Sequence, residues 1–79
     1  MMALTNYEVH LISALAMGAS INQLPAILKL YDLEAHSLSS VEKNLRSLKK
    51  RCGCRTNAQL VYEYHLEVID LNLDELLKA

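Results

Sequence analysis

Tryptophan and phenylalanine are missing from this sequence, and Gly18, Gly53 and Pro25 are its only glycines and proline in 79 positions. So few turn formers argue against a sheet-and-turn architecture. Cysteine is equally scarce. Cys52 and Cys54, one residue apart, offer no second pair for a disulfide framework and no Cys-x-x-Cys spacing. A reducing compartment fits that usage, so a cytoplasmic location is expected. No apolar run approaches the roughly 18 residues of a spanning helix. Residues 1–7 also lack the basic and apolar regions of a secretory signal. A membrane partner is therefore not expected.

Aliphatic residues are plentiful. The chain is 52% hydrophobic, with Leu, Ile, Val and Ala supplying most of it, a composition suited to packed helices. A chain this short makes one domain and buries only about 60% of its unfolded surface, so self-association would be unsurprising. The formal net charge is −1, but the positive charge is unevenly spread. Six of the eight Lys and Arg residues fall within thirteen positions: Lys43, Arg46, Lys49, Lys50, Arg51 and Arg55. A concentrated basic helix face on a small helical domain is the electrostatic footprint of a duplex-DNA reader.

Capping patterns and periodicity divide the chain into helices. Thr5 and Glu8 have capping-box spacing and predict a first helix, with Val9, Ile12 and Ala16, beside Leu11 and Leu15, turned inward and Gly18 as its stop. Ser20 and Gln23 repeat the spacing and predict a second helix over 21–29, with Leu24, Ile27 and Leu28 buried. Pro25 lacks the N–H for the Ile21 carbonyl and should distort its first turn. A third capping box, Ser39 with Glu42, predicts a third helix to about Arg51. Val41, Leu45, Leu48 and Cys52 form its buried stripe, and Lys43, Arg46 and Lys50 lie on the other side. Gly53 closes it. Thr56 or Asn57 then caps a fourth helix carrying Leu60, Val61 and Tyr64. Beyond it, Val68 to Ala79 is acidic and leucine-rich, with Asp70, Asp74 and Glu75 among Leu71, Leu73, Leu76 and Leu77. This tail is expected to be amphipathic and partly helical.

In order, these pieces resemble the LuxR/GerE-type helix-turn-helix domain over roughly residues 4 to 64. The resemblance rests on Leu4-Thr5-x-x-Glu8-Val9, Gly18-x-Ser20, Ser40-Val41, Leu45-Arg46-x-Leu48, Gly53 and Arg55-Thr56-Asn57-Ala58. It implies an all-α, four-helix domain, placed over residues 1–66, to which the tail pattern adds a C-terminal helical extension over 67–79. By the family pattern the third helix enters the major groove, where Glu42, Lys43 and Arg46 match positions facing base edges. Lys49, Lys50 and Arg55 match positions nearer phosphates, with the Ser39 hydroxyl at the helix start. The fourth helix and the tail match a dimer contact, assigned to Leu60, Tyr64, Val68 and Leu71, with either an identical copy or a related regulator as the second subunit. Three features depart from the pattern: a connection before the third helix longer by about five residues, Pro25 in place of the usual Ala, and Glu42 in place of a basic residue.

Each candidate also has a plainer role. Lys49, Lys50 and Arg51 near a helix C-terminus are favoured by the macrodipole, whereas Lys43 and Arg46 near the start are not. Glu42 serves either as a capping-box partner or as an acceptor for cytosine N4. Cys52 and Cys54 read as small core hydrophobes. His10, His36 and His65 are scattered, so no metal or cofactor is expected. No phosphate loop or catalytic order is present, and an enzyme is not expected. Two functions remain: a sequence-specific DNA-binding transcriptional regulator, or a protein-interaction module that binds another regulator through the apolar side of the tail, Val68 to Leu77.

Overall fold

The computed structural model of the chain describes residues 3–74. It is all-helical, with four α-helices, two short 3-10 turns and no strand among the described residues. α1 spans Asn6–Ala16, α2 Leu24–Leu30, α3 Leu38–Cys52 and α4 Asn57–Glu63. The 3-10 turns are Ile21–Gln23, leading into α2, and His65–Glu67, following α4.

The capping box at α1 forms as its spacing predicts. The Glu8 backbone N–H donates to Thr5 Oγ1 at 3.1 Å, and the Thr5 N–H donates to Glu8 Oε1 at 3.0 Å. Two free amides of the first turn are thereby satisfied. At the other end the Ala19 N–H reaches the Ala14 carbonyl at 3.0 Å and the Gly18 N–H reaches Leu15 at 3.0 Å. This is a Schellman closure, with Gly18 at φ +98° in the left-handed region a Cβ disfavours. α3 ends the same way on Gly53, at φ +69°.

Pro25 acts where expected and fixes the boundary of α2. The Ser20–Gln23 segment starts its turn, with the Ser20 N–H donating to Gln23 Oε1 at 2.9 Å. The chain then runs as a 3-10 turn until α2 begins at Leu24. Pro25 thus falls in the first turn of α2, where a missing N–H leaves no intrahelical bond unmade.

The start of α3 differs from the expectation. Ser37, rather than Ser39, is the N-cap, its Oγ accepting the Ser40 N–H at 3.2 Å. α3 therefore begins at Leu38, and Glu42 lies beyond the first turn with no capping role. The cluster Ser37, Ser39 and Ser40 supplies several possible caps. The Ser37 and Ser40 hydroxyls also pair at 2.9 Å, which favours the earlier start.

One core joins all four helices. Leu11, Ile12, Leu24, Ile27, Leu28, Val41, Leu45, Leu48 and Leu60 are its buried centre. α1 departs in detail from its predicted stripe: Ala16 is exposed and Val9 half-buried, while His10 and Ser13 are buried. Both polar side chains have partners. His10 Nδ1 donates to the Asn6 carbonyl at 2.8 Å, and Ser13 Oγ accepts the Ile69 N–H at 2.9 Å.

That second bond belongs to the first part of the tail. Residues 68–73 form no helix and fold back on the core as a strap, while Asp74, the last described residue, is helical. Leu71 and Leu73 enter the core at 5% and 1% exposure, with Asn72 exposed between them. The Asn72 N–H donates to Tyr31 Oη at 2.9 Å. Each leucine so buried contributes about 1.5–3 kcal/mol. Residues 67–73 are therefore packed into the domain expected over 1–66. The remaining tail residues of the sequence pattern, Glu75, Leu76 and Leu77, lie outside the described residues.

Candidate functional site

α3 is sharply two-sided. Val41, Leu45 and Leu48 are buried, and Cys52 at its last position is half-buried, which is the predicted stripe. Ser39, Glu42, Lys43, Arg46 and Lys50 are exposed, Lys49 is half-buried, and Arg55 is exposed in the turn that follows. Lys43, Arg46 and Lys50, spaced three and four apart, share one face. No described carboxylate forms an ion pair with these cations. The Arg55 N–H donates to Gln59 Oε1 at 2.8 Å, which fixes the backbone carrying that guanidinium.

Arg51 is the exception. Its guanidinium pairs with Glu8 of α1. Burial pushes the Glu8 carboxyl up. The Thr5 N–H bond and the Arg51 guanidinium together outweigh that and hold it below its ordinary value. Arg51 thus serves the fold, by fastening the C-terminal half of α3 to the first turn of α1.

A second tie holds the other half. Tyr7 Oη donates to the Ala35 carbonyl at 2.8 Å and accepts from Asn44 Nδ2 at 3.1 Å. One hydroxyl thus joins α1, the 31–37 connection and α3. The connection carries two non-glycine residues in the left-handed region, Asp32 at φ +55° and Ala35 at φ +57°. Asp32 closes α2, where the Leu33 N–H bonds to Leu28 at 2.9 Å. Sequence reasoning missed Tyr7, Asn44 and the Arg51–Glu8 pair, because partners 28 to 43 residues apart leave no local pattern.

Beside the basic face lies a cleft of about 140 Å³ lined by Ile21, Glu42, Leu45, Arg46, Lys49 and Asn57. Its walls combine aliphatic side chains with two cations. Asn57 Oδ1 is buried without a hydrogen-bond partner among the described residues. An unmet acceptor of this kind costs about 1–3 kcal/mol.

The residues assigned to a dimer contact are placed differently from the expectation. Leu60 is fully buried and Leu71 nearly so, while Tyr64 and Val68 are half-buried against the same core. A 79-residue chain has few apolar side chains to spare, and its own interior has taken Leu60 and Leu71. The exposed apolar side chains of this region are instead Tyr62 (73%), Leu66 (86%) and Ile69 (41%).

The cysteines lie at the joint between α3 and α4. Cys54 is buried and Cys52 half-buried, both as free thiols. Burial, aided by Cys52 and Glu63, pushes the Cys54 thiol up, which disfavours the reactive thiolate. A hydrogen bond with Cys52, together with burial, raises the nearby Tyr64 hydroxyl to about 12. Among the described residues no group of three His, Cys, Asp or Glu side chains is arranged to hold a metal ion. No described helix is long and apolar enough to cross a membrane. No family model, curated protein or solved structure matches this chain.

Proposed function

We propose that the chain is a sequence-specific DNA-binding transcriptional regulator that lays α3 in the major groove. The observation that carries this reading is the division of α3. Its inner stripe fills the core, while Lys43, Arg46 and Lys50 project together, with no ion pair to a described carboxylate and Glu42 as the one acid beside them. The macrodipole accounts for the cations of the last turn, Lys49 and Lys50, but does not reach Lys43 and Arg46 in the middle of α3.

In the docked arrangement Lys43 and Arg46 face base edges. A guanidinium matches guanine O6 and N7 in two parallel bonds, and an ammonium can donate to the same pair. Lys50, Lys49 and Arg55 lie along phosphates, where they add affinity without sequence information. Ser39, exposed near the start of α3, offers a hydroxyl to the backbone. Glu42, free of any capping role, faces outward beside Lys43 as an acceptor for cytosine N4. The interaction-module reading needs the apolar side of the tail as its contact. Leu71 and Leu73 are spent in the chain's own core, so the DNA reading stands ahead of it.

The test is a selection of duplexes from a random pool, followed by titration of the selected duplex. Lys43→Ala or Arg46→Ala should weaken that complex by about 1–3 kcal/mol and relax preference at one base pair. A pool that yields no enriched sequence, or a selected duplex indifferent to both substitutions, would refute the proposal.

A further inference from the structure

Two surfaces of this chain are complementary to each other, and no hydrogen bond or ion pair between described residues joins them. One is the cleft beside α3, with Ile21 and Leu45 as its apolar part and Arg46 and Lys49 as its cations. The other is the turn after α4. There Leu66 stands 86% exposed with Tyr62 nearby at 73%, and Glu63 and Glu67 are exposed beside Leu66. A single exposed leucine is ordinary. This one, however, is an apolar knob held on a 3-10 turn within an acidic rim. The turn is braced, since His65 Nδ1 donates to the Tyr62 carbonyl at 2.7 Å and the two rings lie 6.1 Å apart.

We infer that a second copy of this chain docks here head to tail, with Leu66 of one copy entering the Ile21–Arg46–Lys49 cleft of the other. Charge decides the partner. A two-fold pairing of the Leu66 patch with itself would bring two carboxylates from each copy together, a like-charge contact that electrostatics penalises. The same patch against the cleft sets Glu63 and Glu67 beside Arg46 and Lys49, with Glu42 as the one acid on the receiving side. A knob filling a pocket elsewhere on an identical molecule is a heterologous contact, which propagates unless its rotation closes a ring. It also covers part of the α3 face. The partner copy would therefore occupy the surface proposed for DNA, and association and DNA binding would exclude one another. The association itself is independent of the DNA reading, and only its competitive role rests on that reading.

The experiment is sedimentation velocity on the full chain without DNA, at about 50 mM and about 500 mM salt. Concentration-dependent association should appear at low salt and weaken by at least about tenfold at high salt as the charges are screened. Leu66→Ser removes the knob and Arg46→Glu reverses the cleft; both positions are exposed, and unchanged thermal unfolding would verify that each variant folds. Each variant alone should be monomeric. Mixed, they should form a one-to-one dimer, because the first retains the cleft and the second retains the knob. A monomer at every concentration in low salt, or Arg46→Glu self-associating as well as the parent, would overturn the inference. A short duplex added to the parent chain should dissolve the association. If it binds without doing so, the competitive role falls, and if it does not bind at all, the DNA reading falls while the docking result stands.

Discussion

If α3 reads DNA, the salt dependence of binding follows from which cations the fold leaves free. Residues 43 to 55 carry six cations, but Arg51 is held by Glu8. The other five, Lys43, Arg46, Lys49, Lys50 and Arg55, form no ion pair with a described carboxylate. The three placed along phosphates, Lys49, Lys50 and Arg55, give a slope of log affinity against log salt of about −2.7, at roughly 0.9 per phosphate neutralised. Between about 50 and 200 mM salt, affinity should then fall about 40-fold. The assay is fluorescence anisotropy of a labelled duplex across that range. Lys50→Ala should flatten the slope by about one, because Lys50 has no role in the interior. Arg51→Gln should leave the slope close to that of the parent, because Arg51 spends its charge within the protein. A slope flatter than about −2, or a loss for Arg51→Gln equal to that for Lys50→Ala, would refute the assignment of these cations.

Three further outcomes are expected. Leu73→Ala should lower the unfolding free energy by about 2–5 kcal/mol in a urea titration, and a loss below about 1 kcal/mol would show that the strap contributes little to the core. Glu8 has a folded-state pKa below its ordinary 4.5, so the stability it contributes is present above pH 4.5 and is lost as pH falls through the lowered value. Glu8→Gln should therefore flatten the fall in melting temperature below pH 4.5, and an acid limb identical to the parent's would contradict that linkage. Cys54 should react with a thiol reagent more slowly than Cys52 at neutral pH, and labelling of the single variants Cys52→Ser and Cys54→Ser by mass spectrometry would decide it.

What could be read from the sequence was local. Thr5 with Glu8 and Ser20 with Gln23 sit three residues apart, and each pair forms the bond its spacing requires. The α3 stripe of Val41, Leu45 and Leu48 was legible because one helix face either is apolar or is not. The α3 start was not, because three serines competed and the Ser39–Glu42 pattern outranked the Ser37–Ser40 pair that forms. The tail was only partly legible for a different reason. Its leucines and acids fit a helical wheel, but Leu71-Asn72-Leu73 also alternates, and the buried–exposed–buried outcome follows that alternation. Choosing between the two needed the Ser13 and Tyr31 hydroxyls that receive the strap's amides, more than forty positions earlier. The candidate site divided similarly. The exposure of Lys43, Arg46 and Lys50 followed from periodicity, whereas the loss of Arg51 to Glu8 depended on how α1 packs.

The ties from α1 also set how the exposed basic face of α3 is oriented. The connection from α2 to α3 holds two left-handed residues, Asp32 and Ala35, and does not fix the angle of α3 alone. Loop-closure entropy grows slowly, by about 0.6 kcal/mol per doubling of length, so extra residues cost little if other contacts set the geometry. Those contacts are the Tyr7 hydroxyl at Asn44 and the Glu8 carboxylate at Arg51, seven positions apart on α3 and adjacent on α1. At about 1.5 Å per residue, the two ties are separated by roughly 10 Å along α3. Two fixed points that far apart constrain both the tilt and the rotation of the helix. The orientation of the basic face is thus specified from α1, which also holds the connection through the Tyr7 bond to the Ala35 carbonyl.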